Sequence, residues 1–138
     1  MTTIAEERPG RAELLALYEA VGWTTSTRAP ETLVAAITGS DLVLAARDAD
    51  GSLVGLVRAL TDGATVVLVQ DLLVVPSRQR SGIGADLLDA VLAQYAHVRQ
   101  TVLLTDAEPG QRAFYESRGL VEAHDVEPSP LRSFVLLR

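Results

Sequence analysis

The stretch that decides the fold runs from Asp71 to Tyr95 and reads DLLVVPSRQRSGIGADLLDAVLAQY. It begins with an apolar run that ends at Pro76, and proline lacks an N–H for a sheet and holds the preceding residue extended. After Gly82-Ile83-Gly84, apolar residues recur at intervals of three, four and five, which is typical of one face of an amphipathic helix. The sequence therefore predicts a strand, a short loop and a helix from about Gly82 to Tyr95.

The loop between this strand and this helix predicts a site for an anion. The first N–H groups of a helix have no partner within the helix, the helix dipole is positive at this end, and glycines let a phosphate approach closely. Arg78 and Arg80 add positive charge beside the glycines. The alternative is a tight turn in which Gly82 and Gly84 only allow close packing, and the two neighbouring arginines favour the anion site.

The composition predicts one folded domain that spans residues 1–138. Hydrophobic residues make up 48% of the chain and charged residues 22%, which is typical of a globular domain. No segment is long and apolar enough for a bilayer, and Met1 to Pro9 lacks the apolar core of a secretory signal. The net charge of −6 argues against nucleic-acid binding. We therefore expect a cytoplasmic protein that binds neither nucleic acid nor membrane.

Two residue types are absent, and each absence excludes a class of chemistry. Without cysteine there is no disulfide, thiolate metal site or covalent cysteine intermediate. All 12 basic residues are arginine, so a Schiff-base lysine and the lysine of a nucleotide-binding P-loop are excluded as well. His97 and His124 are the only two histidines. A histidine-rich metal site is therefore not expected, and we predict no metal.

The first half of the chain reads as two helices followed by strands. One helical pattern is lined by apolar residues from Leu14 to Val21 and ended by Gly22, and a second begins at Pro30 and ends at Gly39. Three β-rich runs follow, and Asp-Gly turns at residues 50–51 and 62–63 join them into an antiparallel meander. These runs are Leu42 to Arg47, Ser52 to Leu60 and Thr65 to Val75.

The second half of the chain adds a parallel strand. Thr101 to Thr105 follows the central helix, so it should lie parallel to the strand that ends at Pro76. Ligands tend to enter α/β sheets where such parallel neighbours diverge. A further helix starts at Glu108-Pro109-Gly110, and tail strands are expected around Glu122 to Val126 and Ser133 to Leu137. The pattern as a whole predicts a single α/β domain.

Two motifs resemble those of the GCN5-related N-acetyltransferase (GNAT) family. The first is a strand ending in V-x-P, followed by Q/R-x-x-G-x-G/A at the start of a helix, and it stands here as Val74-Val75-Pro76 and Gln79 to Gly84. The second is a helix with F/L-Y-x-x-x-G-F/L, which stands here as Phe114 to Leu120. With the meander before them, the motifs cover roughly Leu42 to Val126. Their conjunction is far more specific than either motif alone.

The resemblance implies an acyl-CoA N-acyltransferase fold of the α/β class, with a mixed, splayed, mostly antiparallel sheet flanked by helices that binds acetyl-CoA in the splay. It implies that the main chain of the glycine loop holds the pyrophosphate and that the strand end pairs with the pantetheine arm as an added strand would. A bulge in this strand would turn an N–H toward the thioester oxygen. The implied cofactor residues are Leu73, Val74, Gln79, Arg80, Ser81, Gly82, Ile83, Gly84 and Ala85.

Tyr115 and Asp71 are the candidate catalytic residues. The resemblance implies that Tyr115 protonates the departing thiolate, and the alternative is a core tyrosine beside Phe114. Asp71 lies in an otherwise apolar run, where a carboxylate is costly to bury without a partner. It is therefore either a candidate base or a structural carboxylate paired with Arg58. Gln70 would be the inward residue instead if a bulge shifted the alternation, and a water chain could also take the proton.

Fewer residues are candidates for binding the acceptor amine than for binding the cofactor. Trp23 could form a wall of the acceptor pocket and Arg58 could pair with an acceptor carboxylate, or Trp23 could cap the first helix and Arg58 could lie on a solvated face. The second motif departs from the family at Glu108 and Gln111, where Asn and Ala are usual. These departures support the alternative of a non-catalytic acyl-CoA-binding or sensing module.

The expected function is direct transfer of the acetyl group of acetyl-CoA to a primary amine of a small molecule or peptide. The absence of cysteine favours attack within a ternary complex over an acyl-enzyme. A homodimer is a further alternative, because members of the family are often dimers.

Overall fold

A computed structural model describes residues 1–138, and they divide into two compact units, Met1–Leu104 and Thr105–Arg138. The first unit contains a five-stranded sheet with four helices, and the second contains one short helix. None of the helices has both the length and the apolar character that crossing a membrane requires.

The sheet of the first unit is mixed and follows chain order. Its strands are β1 (Thr3–Glu6), β2 (Leu42–Arg47), β3 (Leu53–Thr61), β4 (Val66–Val74) and β5 (Gln100–Leu103). The helices are α1 (Arg11–Ala20), α2 (Thr24–Thr27), α3 (Pro30–Gly39) and α4 (Ile83–Gln94). Strands β1 to β4 pair antiparallel, and β4 pairs parallel with β5. The predicted fold class, the meander and the parallel strand are therefore confirmed.

Each face of the sheet has its own apolar core. On one face, which we call the α4 face, Val57 and Val67 pack with Leu87 of α4. On the opposite face, which we call the α1 face, Leu56 packs with Tyr18 of α1 and with residues of α3. Helices on both sides therefore bury the β-rich runs, as their nearly continuous apolar sequence requires.

Strand β4 contains a bulge at Gln70. The register pairs Ala59 with Val69 and Arg58 with Asp71, so Gln70 is an extra residue on β4. Val69 lies in the core of the α4 face, whereas Leu73, four positions later, lies in the core of the α1 face. An inserted residue reverses the alternation of side chains. The bulge thereby turns Asp71 toward α1.

Strand β5 pairs with only the first part of β4. Its four residues pair with Val66 to Val69, and no strand pairs with Gln70 to Val74 on that side. The Val75 N–H donates to Val54 O of the β3 side at 2.9 Å. Because main-chain groups of successive residues alternate in direction, those of Leu72 and Val74 point away from β3. We call this segment, residues 70–74, the open edge of β4.

Two elements formed that the sequence pattern did not predict. Strand β1 is short and mostly exposed and has no alternating apolar pattern, and it forms by pairing with the edge of β2. Helix α2 is one turn of threonine and serine residues that follows Trp23. Neither has a periodic apolar face, which is the signal that identifies the other elements.

The second unit contains α5 (Gln111–Ser117), which confirms the predicted helix, and a 3-10 turn at Ala123–Asp125. The tail strands predicted around Glu122 to Val126 and Ser133 to Leu137 are wrong. The 3-10 turn takes the place of the first, and no strand forms in the second. A β-prone sequence forms a strand only when a neighbour accepts its hydrogen bonds, and Phe134 to Leu137 stay exposed without a paired strand.

Gly55 of β3 lies close to α4, and this yields a prediction about stability. A Cβ built there would lie 3.2 Å from Ile83 Cγ2, Leu87 Cδ1 and Leu73 O. We expect Gly55→Ala to lower the free energy of unfolding by about 1–3 kcal/mol, because a packed core must shift to admit the methyl group. Denaturant titration measures this. Gly39→Ala is the control, since its Cβ would meet nothing within 4 Å, and an equal loss in both variants would contradict the close approach.

Arg47 at the end of β2 binds two carboxylates, that of Glu7 just after β1 and that of Glu13 in α1. Its Nε donates to Glu7 Oε1 at 2.7 Å and its Nη1 donates to Glu13 Oε2 at 2.7 Å. These hydrogen bonds hold the pKa of Glu7 and the pKa of Glu13 below the ordinary value of 4.5. A carboxyl group whose pKa is lower in the folded state stabilises the fold at higher pH and loses that contribution as pH falls through the folded pKa.

We therefore expect the melting temperature to fall as pH drops below about 4.5, and to fall less steeply in Arg47→Gln. Thermal unfolding followed by circular dichroism over this window measures the difference. Arg11→Gln is the control, because it removes an ion pair with Glu31 that is largely exposed. If Arg47→Gln were as sensitive to acid as the native chain, the role of Arg47 would be refuted.

Candidate functional site

The open edge of β4 leads into a loop with an unusual backbone. After Val74 the chain forms a 3-10 turn at Pro76–Arg78 and reaches Gly82, whose φ is 91°, directly before α4. Arg80 has a φ of 63° and is the one non-glycine residue with a positive φ. Left-handed residues next to right-handed ones turn successive N–H groups toward one side, where they form a concave site for an anion.

The first turn of α4 continues this set of donors. Its first hydrogen bond runs from Asp86 N–H to Gly82 O at 2.9 Å, so the N–H groups of Ile83, Gly84 and Ala85 lie ahead of it. No side chain caps this end of the twelve-residue helix. Uncapped N–H groups at the positive end of a helix dipole can hold a phosphate group.

The two arginines of the loop differ in what they contact. Arg78 forms an ion pair with Asp48 and donates to the Thr2 hydroxyl at 3.3 Å. Arg80 is exposed and forms no ion pair. Its guanidinium is therefore the one that an incoming anion could bind without breaking a contact.

Gln79 lies against the end of the open edge. Its Nε2 donates to Val74 O at 3.0 Å, so this carbonyl already has a partner that a pairing ligand would replace. The register places Leu73 opposite Leu56 of β3. Of the two residues predicted to pair with pantetheine, Val74 therefore has its main chain toward the open edge, and the neighbour that shares this direction is Leu72.

Asp71 is held from two sides on the α1 face. Its Oδ2 accepts a hydrogen bond from the Tyr18 hydroxyl at 2.8 Å and another from Arg58 Nε at 2.6 Å. The side chains of Asp71 and Arg58 are each 13% exposed, and Tyr18 is fully buried. The carboxylate thus has the partners that burial demands. Gln70 is exposed, so the bulge turns Asp71 rather than Gln70 inward.

Burial, and next the negative charge of Asp71, raise the pKa of Tyr18 far above its ordinary value. The hydroxyl therefore stays protonated and remains a donor to the carboxylate over the whole working range of pH. Tyr18 was not among the predicted site residues, because its spacing with Leu14 and Leu17 indicates only the buried face of a helix. The signal available in the sequence was a phenol on that otherwise apolar face.

Trp23 lies beside this cluster. Its ring meets the ring of Tyr18 edge-on, with centroids 5.8 Å apart and an interplanar angle of 69°. Trp23 is 36% exposed, so part of its indole remains open to a ligand. The structure thus brings together Asp71, Arg58 and, through Tyr18, Trp23.

Tyr115 lies in α5 of the second unit and is half-buried. Its ring contacts Phe114 edge-on, with centroids 5.0 Å apart. Burial raises the pKa of Tyr115 above its ordinary value, which keeps the hydroxyl protonated at neutral pH. A general acid must carry its proton at working pH, and Tyr115 meets that condition.

The two positions that depart from the family motif form a local turn before α5. Glu108 N–H donates to Asp106 Oδ1 at 3.1 Å, and Gln111 Nε2 donates to the same oxygen at 3.3 Å. Side chains that bind the backbone two residues ahead stabilise turns. The Gln111 side chain therefore has a structural role in this turn, whereas Glu108 takes part only through its backbone N–H.

Comparisons with known proteins agree on one family. A family model described as an acetyltransferase (GNAT) domain matches residues 16–128. An acetyltransferase of the GNAT family from Streptococcus pneumoniae TIGR4 is 33% identical with a TM-score of 0.83, and the match covers 100% of this chain and 98% of that one. An uncharacterised N-acetyltransferase from Pyropia yezoensis is 26% identical over 116 residues, which are 82% of this chain and 66% of that protein.

A more distant structure has the same fold. AAC(6')-Iy, solved in complex with the bisubstrate analogue CoA-S-monomethyl-acetylneamine, is 18% identical with a TM-score of 0.72, and the match covers 100% of this chain and 97% of that one. The family model spans both motifs found in the sequence, the glycine loop and the Phe114-Tyr115 helix. The chain therefore belongs to the GNAT family of acetyltransferases, whose members use acetyl-CoA as the acetyl donor.

Proposed function

We propose that this chain is an N-acetyltransferase that moves the acetyl group of acetyl-CoA directly to a primary amine of a small molecule or peptide in a ternary complex. The open edge of β4 carries the proposal. It begins at a bulge and is followed along the chain by a helix whose first turn is uncapped. A strand edge and a helix N-terminus in succession suit a ligand that has an amide-bearing arm and a pyrophosphate.

Coenzyme A has both of these parts. The pyrophosphate would accept hydrogen bonds from the main chain of residues 80–85, and the Arg80 guanidinium would add a positive charge. The pantetheine arm would pair with the end of β4 through the main chain of Leu72 and Val74, on either side of Leu73, and replace the Gln79 amide at Val74 O. These contacts use the N–H groups ahead of the first hydrogen bond of α4 and the outward main chain of β4, where only Val74 O already accepts a side-chain hydrogen bond. They also follow the first family motif.

Side-chain and main-chain groups of this chain would assist the remaining steps of the reaction. Acetyl-CoA, when bound, supplies the acetyl group as an activated thioester. The acceptor amine must be uncharged to attack, so Asp71 or a water chain beside it would take the proton. Tyr115 would donate a proton to the departing thiolate, and a main-chain N–H at the bulge would donate to the thioester oxygen.

The acceptor would approach from the side of Trp23 and the pair formed by Asp71 and Arg58. The bisubstrate analogue bound by AAC(6')-Iy supports simultaneous binding of both substrates. The absence of cysteine from this chain supports direct transfer as well. The cytoplasmic location and a homodimer stay predictions from the sequence.

Two measurements in sequence test this function. Isothermal titration calorimetry with acetyl-CoA should show binding, and a thiol-release assay with neamine, spermidine and glycylglycine should show turnover with at least one amine. Binding without turnover of any amine would favour the sensing module. Absence of binding would refute the proposed cofactor site.

Gly82 gives a direct test of the phosphate loop. We expect Gly82→Ala to weaken coenzyme A binding about tenfold, because a Cβ strains a residue at positive φ by ~1–2 kcal/mol and shifts the N–H groups that follow. Calorimetry measures the dissociation constant. Gly63→Ala is the control, since Gly63 has a φ of 75° in the β3–β4 turn and its Cβ also meets nothing within 4 Å. Equal weakening in both variants would contradict the site.

Tyr115→Phe tests the acid step. We expect kcat to fall by ~10²-fold or more, with the dissociation constant of acetyl-CoA changed by less than about twofold, because only the proton donor is lost. Tyr95→Phe removes the hydroxyl of another partly buried tyrosine and should leave kcat unchanged. An unaltered kcat in Tyr115→Phe would remove this residue from the mechanism.

A further inference from the structure

The cluster around Asp71 is asymmetric. Both of its hydrogen bonds, from the Tyr18 hydroxyl and from Arg58 Nε, end on Oδ2, and Oδ1 accepts none from the chain. Asp71 follows directly after the bulged Gln70, at the start of the open edge. One oxygen of the carboxylate is therefore saturated, and the other remains an acceptor next to the proposed site of acetyl transfer.

The two donors are themselves held in place. Tyr18 is fully buried in the core between α1 and the sheet. Arg58 Nη1 contacts Ser40 Oγ at 3.4 Å, and this hydroxyl in turn donates to Ala36 O at 2.7 Å. Charge-assisted hydrogen bonds from fixed donors restrict the rotation of a carboxylate. The direction of Oδ1 is thereby set by elements that do not belong to the cofactor site, namely α1, β3 and the end of α3.

We propose that Tyr18 is a positioning residue for the acceptor amine: together with Arg58 it fixes Asp71 Oδ2, so that Oδ1 receives a hydrogen bond from the amine. This inference rests on the proposed function. The ion pair with Arg58 compensates the charge of Asp71, so Oδ1 acts as an oriented acceptor for the uncharged amine that the reaction requires. Trp23, in edge contact with Tyr18, links the same residue to the exposed aromatic surface of the acceptor side.

Steady-state kinetics of a double-mutant cycle test the inference, with the panel amine that gives the highest rate as acceptor. Tyr18→Phe keeps the ring and removes only the donor. We expect it to raise the KM for the amine about tenfold and to change the dissociation constant of acetyl-CoA by less than about twofold. In the Asp71→Asn background the same change should add little, because Tyr18 acts through Asp71.

Two further variants separate positioning from a loss of stability. Arg58→Lys keeps the positive charge but loses the Nε donor, so it should raise the KM for the amine in the same direction even if Tyr18→Phe folds poorly. Tyr95→Phe is the control and should leave the KM for the amine unchanged.

Different results would overturn the positioning role alone or the proposed function together with it. A Tyr18→Phe variant with a lower melting temperature but an unchanged KM for the amine, or with an effect that multiplies fully with that of Asp71→Asn, would overturn the positioning role alone. Absence of turnover by the native chain with every amine of the panel would overturn the proposed function and this inference with it.

Discussion

The length of β4 relative to its partner is the constraint on which the rest of the structure depends. The strand has nine residues, and β5 pairs with only four of them. Main-chain groups left unpaired in a sheet need another partner. The Gln79 amide supplies one such partner at Val74 O. The open edge thus exists because β5 ends early. The loop between β4 and α4 contacts this edge through Gln79.

The bulge at Gln70 determines which face of the sheet Asp71 lies on. Without the extra residue, Asp71 would continue the alternation of Val67 and Val69 and face the core under α4. With it, Asp71 faces α1 and meets Tyr18 and Arg58. One inserted residue therefore both begins the open edge and places a carboxylate beside it. A strand that pairs normally at its start and is free at its end can in this way hold a ligand and still be anchored in the core.

The elements around this strand could be predicted from the sequence because their signals are local. Asp-Gly turns, apolar periodicity and the glycines before α4 each act within a few residues. The two family motifs indicated coenzyme A as the ligand of the loop between β4 and α4. Contacts between distant residues could not be predicted in this way. Strand β1 depends on the edge of β2, and the Asp48 partner of Arg78 lies 30 residues away.

The prediction of two tail strands was wrong for a related reason, because β-propensity does not supply a partner strand. The importance of Tyr18 was also hidden in the sequence. Its hydroxyl meets a carboxylate 53 residues further along the chain, and the bulge that makes this contact possible leaves no periodic signal of its own. The geometry around the candidate site could therefore be predicted where one continuous segment forms it, the end of β4 and the start of α4.

The central claim is that coenzyme A adds to the open edge of β4 and to the first turn of α4. Amide hydrogen exchange followed by NMR, with and without saturating coenzyme A, tests it at single residues. The account predicts slower exchange at the Leu72 and Val74 amides, which point away from β3, and at the Ile83, Gly84 and Ala85 amides. Exchange at these five amides that stays unchanged while coenzyme A binds would contradict it.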